Sequence, residues 1–145
     1  MQRKEKAVEL FRQQFNCSQA VFTAYRKVDD LDEESALKLS TVLGAGVACT
    51  GSEMCGAASG ALLAISMHFG KGDIESNDDK VKTYKLARSF MSDFELIMGS
   101  CTCETILGMN ISIPENLKKA KEMKLFETRC LDAVKAASNL LEKIL

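Results

Sequence analysis

Apolar positions along this chain recur three and four residues apart, and almost nowhere do they alternate one by one as in a strand. Over residues 2–28, Val8, Phe11, Phe15, Phe22 and Tyr25 share one stripe. Leu10, Cys17, Val21, Ala24 and Val28 widen it into a face broad enough for a globular core, which predicts one long helix there. Asp30-Leu31-Asp32-Glu33 reads as a capping box, Asp30 taking the N-cap and Glu33 reaching back, and predicts a second helix running to about Leu43. Gly44-Ala45-Gly46 can end it in left-handed geometry. Residues 47–52 read as a loop, and Ser52 is the candidate N-cap of a third helix over residues 53–69.

The segment after Ser76 and Asp79 has the most regular pattern, with Val81, Tyr84, Ala87, Met91, Phe94 and Met98 on one stripe and Gly99 closing it. A short helical piece is expected over residues 103–107, between Thr102 and Gly108. Ser112-Ile113-Pro114-Glu115 opens the last part, since proline suits a first helical turn. After a break near Lys124, a terminal helix carries Phe126, Cys130, Ala133, Ala137, Leu140, Leu141 and Ile144 on one side. The expectation is an all-α fold: a compact helical bundle of about five to six helices, forming a single domain over residues 1–145.

Composition narrows the function. With 145 residues, 46% hydrophobic and 27% charged, the chain can bury one ordinary core. Its formal net charge of -1 leaves no basic excess to neutralise phosphates, so no nucleic-acid partner is expected. The charged start, Met1 to Lys6, is followed by no signal-peptide core, and no apolar run is long enough to span a membrane. The expected location is therefore cytoplasmic.

The six cysteines change the picture. In a reducing compartment they point to metal binding, redox chemistry or burial before structural disulfides. Cys55 falls in the first turn of the expected third helix, where free N–H groups and the helix dipole stabilise a thiolate, although Glu53 opposes this. The small residues from Gly56 to Gly60 leave room for a ligand, a second thiol or another helix, so both glycines are candidate cofactor contacts. Cys17 and Cys130 lie on apolar faces, where a free cysteine also packs as a small hydrophobe. Cys101-Thr102-Cys103 could give two thiolates to one metal or form a strained disulfide, and Cys49 in the glycine-rich loop could join Cys55. There is no Cys-x-x-Cys, which removes the signatures of zinc ribbons, thioredoxin-like centres and ferredoxins. His68, the sole histidine, sits near a helix end and reads as a surface residue or a partner of the helix dipole.

Cys55-Gly56-Ala57-Ala58-Ser59-Gly60, with Cys17 in Asn16-Cys17-Ser18-Gln19, Cys103 ahead of Glu104 and Gly108, and Cys130 before the terminal helix, resembles the four-cysteine C_GCAxxG_C_C family. The redox label of that family rests on its cysteine pattern. Cys49 and Cys101 fall outside the pattern, Glu104 stands where a basic residue is expected in relatives, and the haem-binding segments of some relatives are missing.

The resemblance implies that Cys17, Cys55, Cys103 and Cys130 meet in one pocket. They would ligate an iron–sulfur cluster or zinc, or work as thiol–disulfide pairs with Cys55 attacking, and would exchange electrons with a redox partner protein. The alternative is a non-enzymatic helical binding or assembly protein. Its cysteines would be core, and its Gly56/Gly60/Ala64 stripe would pack a helix across a homodimer; a structural zinc site is a third reading.

Overall fold

The first apolar stripe does not form one helix. Its register breaks at Gln13 to Asn16, where Gln14 takes a left-handed φ of 74° and Asn16 becomes the N-cap of a new helix. The Asn16 side chain accepts from the Gln19 backbone N–H, and the Gln19 side chain accepts from the Asn16 N–H, a complete capping box. The result is α1 (Arg3–Arg12) and α2 (Cys17–Tyr25), with Cys17 at the first position of α2 instead of midway along a face.

The computed structural model describes all 145 residues and is all-α. After α1 and α2 come α3 (Glu33–Ser40), a 3-10 turn (Thr41–Leu43), α4 (Gly56–Phe69), α5 (Asn77–Met98), α6 (Cys103–Leu107), α7 (Pro114–Glu122) and α8 (Leu125–Ile144). The fold class is as expected, but there are eight α-helices where five to six were expected. The Asn16 cap adds a helix the periodicity did not divide, while the expected break near Lys124 is present, its left-handed φ of 56° separating α7 from α8. No helix is long and apolar enough to cross a membrane.

Two caps lie two or three residues beyond the expected ones. Asp32, not Asp30, caps α3 by accepting from Ser35 N–H. Cys55, not Ser52, occupies the N-cap of α4. Gly99 and Gly108 close α5 and α6 in left-handed geometry. The stripe on α5 also shifts: Thr83, Phe90, Phe94 and Met98 are buried, with Leu86 against the core, whereas Val81 and Tyr84 point off this face and are exposed.

The core centres on α2, which packs against α1, α3, α4 and α8. Residues Ser18 through Tyr25 are all buried except Gln19. The α2–α4 contact is close because α4 presents glycine: a Cβ on Gly60 would stand 2.7 Å from the Ser18 carbonyl oxygen. The small-residue stripe of α4 is thus used within the chain. A second, smaller cluster of Cys103, Leu107, Ile111 and Ala120 sits where α6 and α7 meet α8.

The segment from Ala45 to Cys49 is unusual. All five residues have positive φ, between 53° and 72°, although only Gly46 is a glycine. Left-handed backbone costs roughly 1–2 kcal/mol per L-residue, so this turn is held by its surroundings. Ala48 N–H donates to Val42, Gly51 N–H to Ala45 and Glu53 N–H to Gly46.

Candidate functional site

Three of the six cysteines stand at the starts of helices: Cys17 opens α2, Cys55 is the N-cap of α4 and Cys103 opens α6. A backbone pairing brings the second and third together. Cys55 N–H donates to the Cys101 carbonyl at 2.7 Å and Cys103 N–H to the Glu53 carbonyl at 2.9 Å, around an antiparallel bridge between Met54 and Thr102. The left-handed turn closes over them, and a Cβ on Gly46 would stand 2.9 Å from the Cys103 Cβ.

Between these helix starts and α8 lies a cavity of about 150 Å³. Cys17, Cys55, Cys103 and Cys130 all line it, together with Gly56 and apolar side chains such as Phe11, Ile106 and Phe126. All six cysteines are free thiols. Cys17, Cys55 and Cys103 are buried, and Cys130 is partly buried.

Cys17 lies against the start of α4, beside Cys55. The neighbouring Cys55 thiol is the chief reason that Cys17 is acidified to about 7. Burial opposes the shift, while backbone N–H groups of Ala45, Ser18 and Ala57 reinforce it. Cys55 holds its proton well above the ordinary thiol range, chiefly because of the neighbouring Cys17 side chain, then because it is buried and because Cys17 carries the negative charge. The pair therefore gives up one proton easily and retains the other. The sequence suggested Cys55 as the attacking thiolate; backbone N–H groups stand near both sulfurs, and the one whose pKa is lowered is Cys17.

Cys103 is pushed up to about 12, by burial first and then by the charges of Cys17 and Cys49. Cys130 is also raised, by burial and by the charges of Cys17 and Cys103, although Arg129 opposes this. Arg129 itself is held by the carbonyls of Ile106 and Met98, at 3.1 and 3.4 Å.

Gly56 is required at the site. A Cβ there would stand 2.5 Å from the Cys17 Sγ and 3.0 Å from the Ser18 backbone nitrogen. Gly60 lies one turn further along α4, against the Ser18 backbone and outside the cavity lining. Cys101 does not join Cys103: its thiol turns toward α5 and donates to the Met91 carbonyl at 3.5 Å. Cys49 is exposed on the left-handed turn. His68 Nε2 is 2.8 Å from the Tyr25 carbonyl oxygen and serves the α2–α4 contact.

No group of three or more His, Cys, Asp or Glu side chains is placed to hold a metal ion. The four sulfurs thus share a cavity without forming a chelate. This geometry lends no support to an iron–sulfur or zinc assignment.

The sequence missed two contributors. One is Asn16, whose capping signal with Gln19 was readable three residues apart. The other is Ala45, whose N–H reaches Cys17 only because the turn is left-handed, which its side chain does not announce.

The family model described as "Putative redox-active protein (C_GCAxxG_C_C)" matches residues 15–144. No curated protein and no solved structure matches the chain.

Proposed function

Since this chain belongs to the C_GCAxxG_C_C family, named for its four-cysteine pattern, we propose that it is redox-active and that its working group is the dithiol of Cys17 and Cys55. The observation that carries this reading is the placement of Cys17 and Cys55 on one cavity, with the Cys17 sulfur against the start of α4 beside Cys55. A thiolate is the nucleophile in thiol chemistry, and a second thiol in contact with it is the resolving group. Cys17 takes up a two-electron oxidant, Cys55 attacks the modified sulfur, and a disulfide closes between α2 and α4. The proton that Cys55 holds in the reduced state leaves at that step.

Cys103 and Cys130 stand on the same cavity as a second pair of thiols. Held neutral, they are slower nucleophiles than Cys17 and stay reduced while the first pair reacts. This reading needs no metal.

Equilibration of the protein with mixtures of reduced and oxidised dithiothreitol tests it. The expected result is the cooperative loss of two thiols, abolished in Cys17→Ser and in Cys55→Ser and retained in Cys101→Ser. Titration that survives both of the first two substitutions would assign the redox chemistry elsewhere.

A further inference from the structure

We propose that the cavity beside Cys17 and Cys55 admits small uncharged organic hydroperoxides and that the protein reduces them to alcohols, an inference that rests on the dithiol reading above. Three observations limit what can reach the sulfur. The first is size: apolar cavities of about 150 Å³ accept guests as large as benzene. The second is burial, since Cys17 is 8% and Cys55 6% exposed. A protein disulfide has to approach the attacking sulfur in line, which such burial obstructs.

The third is charge. No Arg, Lys, His, Asp or Glu lines the cavity, and its walls are mainly apolar, including Ile106, Leu107, Ile111 and Phe126. Asn16 is the one amide in the lining, and both ends of its side chain are engaged. Its Oδ1 accepts from Gln19 N–H at 2.9 Å, and its Nδ2 donates to the Thr41 carbonyl at 2.9 Å. A charged oxidant would lose its hydration there and gain no counterion. What remains is a small neutral molecule with an electrophilic atom and an apolar body, as in an alkyl hydroperoxide.

The pair supplies what such a molecule needs. The Cys17 thiolate attacks the terminal peroxide oxygen, the O–O bond breaks, and two electrons pass from sulfur to oxygen. Cys17 becomes a sulfenic acid, while the departing alkoxide takes the proton of the Cys55 thiol and leaves as the alcohol. The resulting Cys55 thiolate attacks the Cys17 sulfur. The disulfide forms, and hydroxide leaves and is protonated from solvent to water. An external dithiol returns both sulfurs to the reduced state.

The test mixes the reduced protein with tert-butyl hydroperoxide or with glutathione disulfide and follows the Cys17–Cys55 link by peptide mapping. Each rate is divided by the rate of thiol loss in the same chain unfolded in urea. The normalised rate with the hydroperoxide should exceed that with glutathione disulfide by about a hundredfold, with one tert-butanol released per link. A link that forms equally well with both, or better with glutathione disulfide, overturns the hydroperoxide assignment and leaves the dithiol standing. No link with either oxidant overturns both.

Discussion

At the scale of the residue, the site depends on the missing side chain of Gly56 as much as on the sulfurs. The Cβ of an alanine there would press on the Cys17 Sγ and on the backbone nitrogen of Ser18, at 2.5 and 3.0 Å. The sulfur can rotate; the backbone cannot, so α2 has to move away from α4. Gly56→Ala is therefore expected to cost about 1–3 kcal/mol, the usual range for overpacking a core. Urea denaturation measures this, and an unchanged midpoint would mean that the two helices are less tightly apposed. The motif Cys55-Gly56 was legible in the sequence as a place for close approach. Which group approaches was not, because Cys17 is distant in the chain and looked like a face residue of a longer helix.

At the scale of the element, the break between α1 and α2 makes Cys17 a helix-start residue. Asn16 does this through three bonds: it accepts from Gln19 N–H, its own N–H donates to the Gln19 side chain, and its amide donates to the Thr41 carbonyl. Asn16→Ala removes the first and third. The expected loss is about 1–2 kcal/mol, toward the upper end for an N-cap because the bond to Thr41 also ties α2 to the 3-10 turn. Asp32→Ala, at the cap of α3 with the single side-chain bond to Ser35, should cost less. Equal losses in thermal or chemical unfolding would show that the Thr41 contact contributes nothing. Continuous hydrophobic periodicity hid this break, since α1 and α2 keep the same face toward the core. A capping box outranked the periodicity, and Asn16-x-x-Gln19 was its visible sign. The left-handed run from Ala45 to Cys49 left no such sign, because most of its residues are not of the types that favour positive φ.

At the scale of the whole molecule, the thiols couple folding to pH in two opposed ways. Cys17 is more acidic folded, at about 7, than an unfolded thiol near ~8.5. Its contribution is fully present above the unfolded value and is lost as pH falls through 7. Cys55, Cys101, Cys103 and Cys130 are shifted the other way. They favour the folded state below about 8.5, and above it the unfolded chain ionises while the folded one does not. Stability should thus rise between about pH 7 and 8.5 on account of Cys17, then fall, by up to about 1.4 kcal/mol per pH unit for each thiol still protonated in the fold. Denaturation midpoints between pH 6 and 10 measure the curve, and stability that keeps rising above pH 9 would contradict the buried, neutral state of these thiols. The all-helical architecture itself was readable from spacing alone. The convergence of four sulfurs on one cavity was suggested by resemblance and not by any local pattern, for it is made by tertiary contacts between α2, α4, α6 and α8.

The central claim is that Cys17 and Cys55 hold one proton between them and that the negative charge rests on Cys17. Its most direct measurement is the rate of iodoacetamide labelling at each cysteine against pH, read by peptide mass in the reduced protein. The account predicts that Cys17 is labelled with a midpoint near 7 while Cys55 stays unmodified, and that Cys55→Ala moves that midpoint upward. Labelling of Cys17 only in the ordinary thiol range, unaffected by the loss of Cys55, would contradict it.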